Sequence, residues 1–287
     1  MIDHILVPLD GSPLAECVLP HTVAVGQAME AKVTLLRAVV REATPGSQAV
    51  DPLSWHMRKS EADSYLTEVA EQIREVGLTV ETVLAEGQPA ERIIDYARDE
   101  HVGLIIISSH GKSGLSRWNI NSVVQKVILQ AYAPTMLVRA YQAEAEDLTG
   151  LQYARVLVPL DGSKRAECTL PWAKSLAEFH ESKLLLAHVV SRPEVPRRAP
   201  LTDEEKDLVQ RLVDLNKQEG DAYLRDVASR LGSAAEAHLI VSDNPPAALH
   251  QLVDEENVDL ILMAAHGYSG QARWPYGSIA LNFIAYG

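Results

Sequence analysis

Cysteine is nearly missing from this chain: 287 residues include 2, Cys17 and Cys168. Two cysteines cannot build a disulfide framework, and the scarcity fits a reducing compartment. They occupy matching helical positions with no C-x-x-C pair, so buried packing is expected of them and redox chemistry is not. Long apolar runs are missing as well, and the start MIDHILVPLDGS has no basic leader with an apolar core and cleavage site, so a cytoplasmic protein without membrane partners is expected. Positive charge is in deficit: 26 Lys and Arg stand against 39 Asp and Glu, a net charge of -13. Nucleic acid is therefore not an expected partner, because its phosphate backbone requires a basic face. The densest basic spot, RPEVPRR at 192–198, reads as a solvated loop.

What the chain does have is itself, twice. ILVPLDGSPLAECVLP at 5–20 returns as VLVPLDGSKRAECTLP at 156–171, and HGKSGLSRW at 110–118 returns as HGYSGQARW at 266–274. The motifs are kept while the spacing between them drifts, so insertions lie inside each copy. The expected organisation is a first domain at 1–142, an acidic linker at 143–152 and a second domain at 153–287.

Within the first copy, ILVPL is a short apolar run of the kind that forms a buried strand, followed by Asp10-Gly11 and Ser12-Pro13, which suit a turn, a helix N-cap and a first helical residue. VTLLRAVV at 33–40, LTVETVLA at 78–85, GLIIIS at 103–108 and TMLVR at 135–139 read as further strands. Helices are expected over about 55–76, after Gly87-Gln88-Pro89, and over 122–132. Strands alternating with helices, most of them continuously apolar, predict an α/β fold with a parallel five-stranded sheet covered on both faces. The second copy repeats the order, including a helix over 203–231, and stops before a counterpart of TMLVR, so its last strand is expected to be missing.

The stretch SSHGKSG at 108–114 contains the GKS that closes a P-loop. A P-loop needs glycine five positions before the Gly-Lys pair, and Ile106 stands there; in the second copy Tyr268 replaces the lysine. No G-x-G-x-x-G follows either first strand, which removes the dinucleotide fingerprint. The pattern the copies share is Ser108-x2-Gly111-x9-Asn121-Ser122 and Ala264-x2-Gly267-x9-Gly277-Ser278. Such a loop leaves the carboxyl end of a strand and enters a helix, where backbone amides and the helix dipole favour phosphate.

A strand ending in VPLDGS, a later loop like G-x2-G-x9-G-[ST] and a closing strand like TMLVR resemble the universal stress protein family, in tandem, over nearly the whole chain. The resemblance implies two Rossmann-like domains of the adenine nucleotide alpha hydrolase-like kind. It also implies an adenine nucleotide (ATP, ADP or AMP) as ligand, with Mg²⁺ as an optional companion. The implied nucleotide contacts are Pro8, Leu9, Asp10, Ala38, Ser108, His110, Gly111, Asn121 and Ser122 in the first copy. In the second they are Pro159, Leu160, Asp161, Val189, Ala264, His266, Gly267, Gly277 and Ser278. It further implies that the two copies pair like a dimer through their last strands; a homodimer of the whole chain is a further expectation.

Asparagine at 121, where the pattern has glycine, tolerates a left-handed backbone better than most residues, but its side chain is expected to crowd a phosphate, which ranks the second copy as the better site. Three functions compete: a non-enzymatic nucleotide-binding stress module, a nucleotide-free dimerising scaffold, and a slow hydrolase using Asp10, His110 and Ser113. The first is favoured. His110 and His266 read as loop-shaping or ribose-contacting residues, with no metal site expected. Arg117-Trp118 and Arg273-Trp274 recur as pairs equally consistent with phosphate contact and with a surface arginine beside a packed indole.

Overall fold

The structure is a computed structural model that describes residues 2–41, 51–111, 121–140, 147–193, 202–268 and 276–286. The chain divides into two compact units, Met1–Gln152 and Tyr153–Gly287. Of the expected linker, 143–146 lie outside the described residues.

In the first unit the order is β1 (His4–Pro8), α1 (Pro13–Glu16), α2 (Val18–Met29), β2 (Lys32–Val39), α3 (Pro52–Glu75), β3 (Val80–Glu86), α4 (Pro89–Asp99), β4 (Leu104–Ser108), α5 (Ser122–Gln130) and β5 (Thr135–Val138). The sheet runs β3-β2-β1-β4-β5, with every neighbour parallel. β1 and β4 are buried along their whole length, as continuous apolar runs in a sheet covered on both faces must be. The chain winds from β1 outward through β2 and β3, then crosses back to β4 and β5. That reversal opens a crevice at the carboxyl ends of β1 and β4, where ligands of open parallel sheets bind.

The second unit repeats this with β6 (Arg155–Pro159), α6 (Lys164–Glu167), α7 (Leu170–His180), β7 (Lys183–Val190), α8 (Asp203–Leu231), β8 (Ala235–Val241), α9 (Pro245–Glu256), β9 (Leu260–Ile261) and α10 (Ser278–Tyr286). Its sheet runs β8-β7-β6-β9, again parallel. Among the described residues no strand follows α10, so β9 is an edge where β4 is interior. The difference shows in burial: β9 is only partly covered.

Local signals act as read. Ser12 caps α1 by accepting the Ala15 amide at 3.2 Å, and Ser163 caps α6 by accepting that of Ala166 at 3.1 Å. The single helix expected after the first strand is instead two, divided at Cys17 and again near Cys168. Pro20 and Pro171 explain the break: each lacks an N–H and its ring crowds the carbonyl four residues back, on Glu16 and Glu167. Helix α3 begins at Pro52, earlier than expected, because the Asp51 carboxylate accepts the Leu53 and Ser54 amides at 3.3 and 3.1 Å.

Candidate functional site

In the first unit, Pro8 and Leu9 close β1, with the Leu9 amide donating to the Leu36 carbonyl at 2.9 Å. Asp10 then folds back: its Oδ1 accepts the Ser12 amide at 2.9 Å and the Ser12 hydroxyl at 2.6 Å. Its Oδ2 lies against Gly111, so close that any Cβ at 111 would overlap it. Glycine is required here by a carboxylate reaching across from the neighbouring turn.

The second unit is built alike. The Leu160 amide donates to the Ala187 carbonyl at 2.8 Å, Asp161 accepts the Ser163 amide at 3.0 Å, and its Oδ2 would overlap a Cβ at Gly267. Asp161 also accepts the Tyr268 amide. Burial works against the charged carboxylate, but hydrogen bonds from Ser163, Tyr268 and the local backbone outweigh it and hold Asp161 below the usual aspartate range.

Ser108 is buried and committed to protein. Its hydroxyl lies 2.9 Å from the Leu14 carbonyl and 2.8 Å from that of His110, and the Cys17 thiol donates to it at 3.4 Å. The next residue, which the motif does not single out, closes the loop. Ser109 is fully buried; its Oγ sits 2.9 Å from His110 Nδ1 and accepts the Ala140 amide at 3.1 Å. Its carbonyl accepts the Asn121 amide at 3.2 Å, and the Ala265 carbonyl accepts that of Gly277 at 2.7 Å. In each unit the strand end thus holds the start of the following helix. Ala264 and His266 are half-buried in the second unit, and Ser122 and Ser278 are the exposed first residues of α5 and α10.

Two expectations need correction. Asn121 is extended, with φ -53 and ψ 142, and caps α5 by accepting the Val123 amide at 2.9 Å. Gly277 has no positive φ, and a Cβ there would meet the Ala265 carbonyl at 3.4 Å and His266 Cα at 3.8 Å, both ordinary contacts. The left-handed backbone that asparagine was expected to tolerate at 121 is thus not called on in either copy. Cys168 is exposed, not buried, while Cys17 is half-buried and burial pushes its thiol pKa up.

The ends of the second strands differ in a way no motif reveals. Tyr65 on α3 donates to Glu16 at 2.9 Å; burial and then that bond raise its pKa. The Arg37 guanidinium lies over the Tyr65 ring at 5.0 Å and covers Gly11, where a Cβ would meet it at 2.9 Å. Ala38 follows at the half-buried end of β2. In the second unit, Tyr223 on α8 faces Glu167 and His188 takes the place of Arg37, 6.2 Å from the Tyr223 ring. His188 Nδ1 donates to the Leu160 carbonyl at 2.8 Å, and nothing lies within 4 Å of a Cβ at Gly162. An open cleft of about 380 Å³ remains, lined by Gly162, His188, Val189, Glu219, Gly220 and Tyr223. Arg37 and His188 escaped notice in the sequence because a polar residue near a strand end reads as solvent-facing.

Among the described residues no three His, Cys, Asp or Glu side chains gather as a metal centre would. Lys112, Ser113, Arg117, Trp118, Arg273 and Trp274 lie outside the described residues.

Two copies of one doubly wound unit, each with an Asp-Gly turn locked onto a glycine loop, match the model of the universal stress protein family at 1–139 and 152–285. The chain belongs to that family. It is similar to universal stress protein MJ0531 of Methanocaldococcus jannaschii, 28% identical over 144 residues that cover 49% of this chain and 84% of the relative. It is also similar to universal stress protein YxiE of Bacillus subtilis, 29% identical over 149 residues, covering 48% of this chain and 100% of the relative. The crystal structure of a universal stress protein from Archaeoglobus fulgidus is 20% identical and covers 91% of this chain and 84% of its own, with a TM-score of 0.61, so the fold is shared. This universal stress protein carries the family unit in tandem. No helix among its described residues is long and apolar enough to cross a membrane.

Proposed function

We propose that this universal stress protein is a regulatory module that holds an adenine nucleotide at the carboxyl ends of its strands, without needing to turn it over. The observation that carries the reading is the cleft of about 380 Å³ beside Gly162 and Val189. It opens at the carboxyl ends of β6 and β7 against α8, on the edge where parallel α/β sheets take ligands, and its volume falls in the range of small-molecule sites. Nearby, the glycine loop of Gly267 leads to α10, whose first amides suit a phosphate. Gly277 has no side chain with which to cap that helix, whereas Asn121 caps α5 itself. The protein supplies Mg²⁺ with no cage among the described residues, and the Ser113 of a hydrolytic triad lies outside them.

The test is native mass spectrometry of the intact chain as purified, and again after stripping and adding ATP. Bound adenine nucleotide is expected in both. In Gly267→Val, whose new side chain is driven into Asp161, ATP affinity should fall at least tenfold with the circular dichroism spectrum retained. A native chain that binds no adenine nucleotide at millimolar concentration leaves the nucleotide-free scaffold as the better reading.

A further inference from the structure

Gly11 and Gly162 are the same residue of the same turn, with φ of +77 and +82, yet one is covered and the other bare. The cover is Arg37. Its guanidinium stands 2.9 Å from where a Cβ of Gly11 would be, held over the Tyr65 ring at 5.0 Å, an arrangement that combines cation-π attraction with apolar packing of the long stem. The equivalent His188 is shorter: its hydrogen bond to the Leu160 carbonyl anchors it at the start of the turn, and it stays more than 4 Å from where a Cβ of Gly162 would be. It leans instead on α8, where Gly220 admits it: a Cβ at 220 would meet His188 Cδ2 at 2.9 Å.

The helix walls follow the same trend. Tyr65 and Tyr223 correspond, since each faces the glutamate of the first short helix, Glu16 or Glu167. Counting back from each tyrosine pairs Ala62 with Gly220 and Arg58 with Asn216. Arg58 lies over Trp55 at 5.8 Å, beside Arg41 at 5.1 Å and Lys59 at 6.0 Å. Asn216 lines the open cleft. At each of these three positions the first unit carries the larger side chain.

We infer that the two crevices of this chain are unequal: Arg37 fills in the first unit the space that the second keeps open beside Gly162, so that one nucleotide binds per chain, in the second unit. The inference rests on the nucleotide reading above and adds to it a residue that decides which copy is occupied. Arg37 acts as a built-in plug, and the family unit is duplicated with one copy closed.

Reciprocal exchange tests this. The intact chain is titrated with ATP by equilibrium dialysis, and the complexes are counted by native mass spectrometry. One nucleotide is expected on the native chain, two on Arg37→His and none on His188→Arg, with circular dichroism unchanged in each. Arg37→Ala serves as a second opening variant should histidine be poorly accommodated. Two nucleotides on the native chain, or no second nucleotide on either Arg37 variant, overturn the inequality while leaving the nucleotide reading intact. Retention of the nucleotide by His188→Arg also overturns it. No nucleotide on the native chain or on either Arg37 variant overturns both.

Discussion

His21 on α2 belongs to no motif, yet it contributes to how the first unit responds to acid. Burial pushes its pKa down from 6.5 to about 4, because a charged imidazole loses its water there. Between those values the unfolded chain takes up a proton that the native one refuses. Stability is therefore lost as pH falls from 6.5 to 4 and levels off below, with a limiting slope near ~1.4 kcal/mol per pH unit and a total on the order of 3 kcal/mol. Urea unfolding at pH 7, 5 and 4 should show this slope in the native chain and a shallower one in His21→Gln. Asp161 acts in a different window: its pKa is lowered, so its contribution is present above the ordinary aspartate value and disappears as pH falls through the lower, folded one. At this scale the motif residues were legible, since Asp10 and Gly111 stood out in the repeat and proved to touch. Arg37 was not, because its contact with Gly11 depends on two strands lying in register.

Helix α8 carries Gly220 in its interior, where glycine costs about 1 kcal/mol relative to alanine. Propensity alone favours Gly220→Ala. Packing opposes it: the new Cβ would meet His188 Cδ2 and Leu239 Cδ1, both at 2.9 Å, so these half-buried side chains have to move to admit it. Gly220→Ala should therefore fail to raise the melting temperature and should weaken ATP binding severalfold, measured by calorimetric titration, as His188 is pushed toward Gly162. Element types and order followed from periodicity, and the caps at Ser12 and Ser163 from local chemistry. The split of the first helix was also written in the chain, in Pro20 and Pro171, although the helical pattern around them masked it. The weakness of β9 was legible only as a missing neighbour: the same apolar run that is buried in β4 is half-covered as an edge.

For the whole molecule, duplication does not mean symmetry of use. Occupancy of one unit should appear as one-sided protection. Under saturating ATP, hydrogen exchange should slow at 159–163, 188–191 and 264–268, by up to about a hundredfold at a ligand concentration 100 times Kd, since opening must first release the ligand. The counterparts at 8–12, 37–40 and 108–111 should keep their native rates; equal slowing in both would contradict a plugged first unit. The doubled α/β architecture, the order of its elements along the chain, and the Asp-Gly turn and glycine loop as separate motifs were all readable from the linear chain. They rest on apolar runs, turn residues and repetition, which are properties of short segments. The inequality of the two crevices was not readable there. It arises where Arg37 and His188, each unremarkable in its own strand, meet a turn from one neighbour and a helix from another, and only three-dimensional packing brings those three elements together.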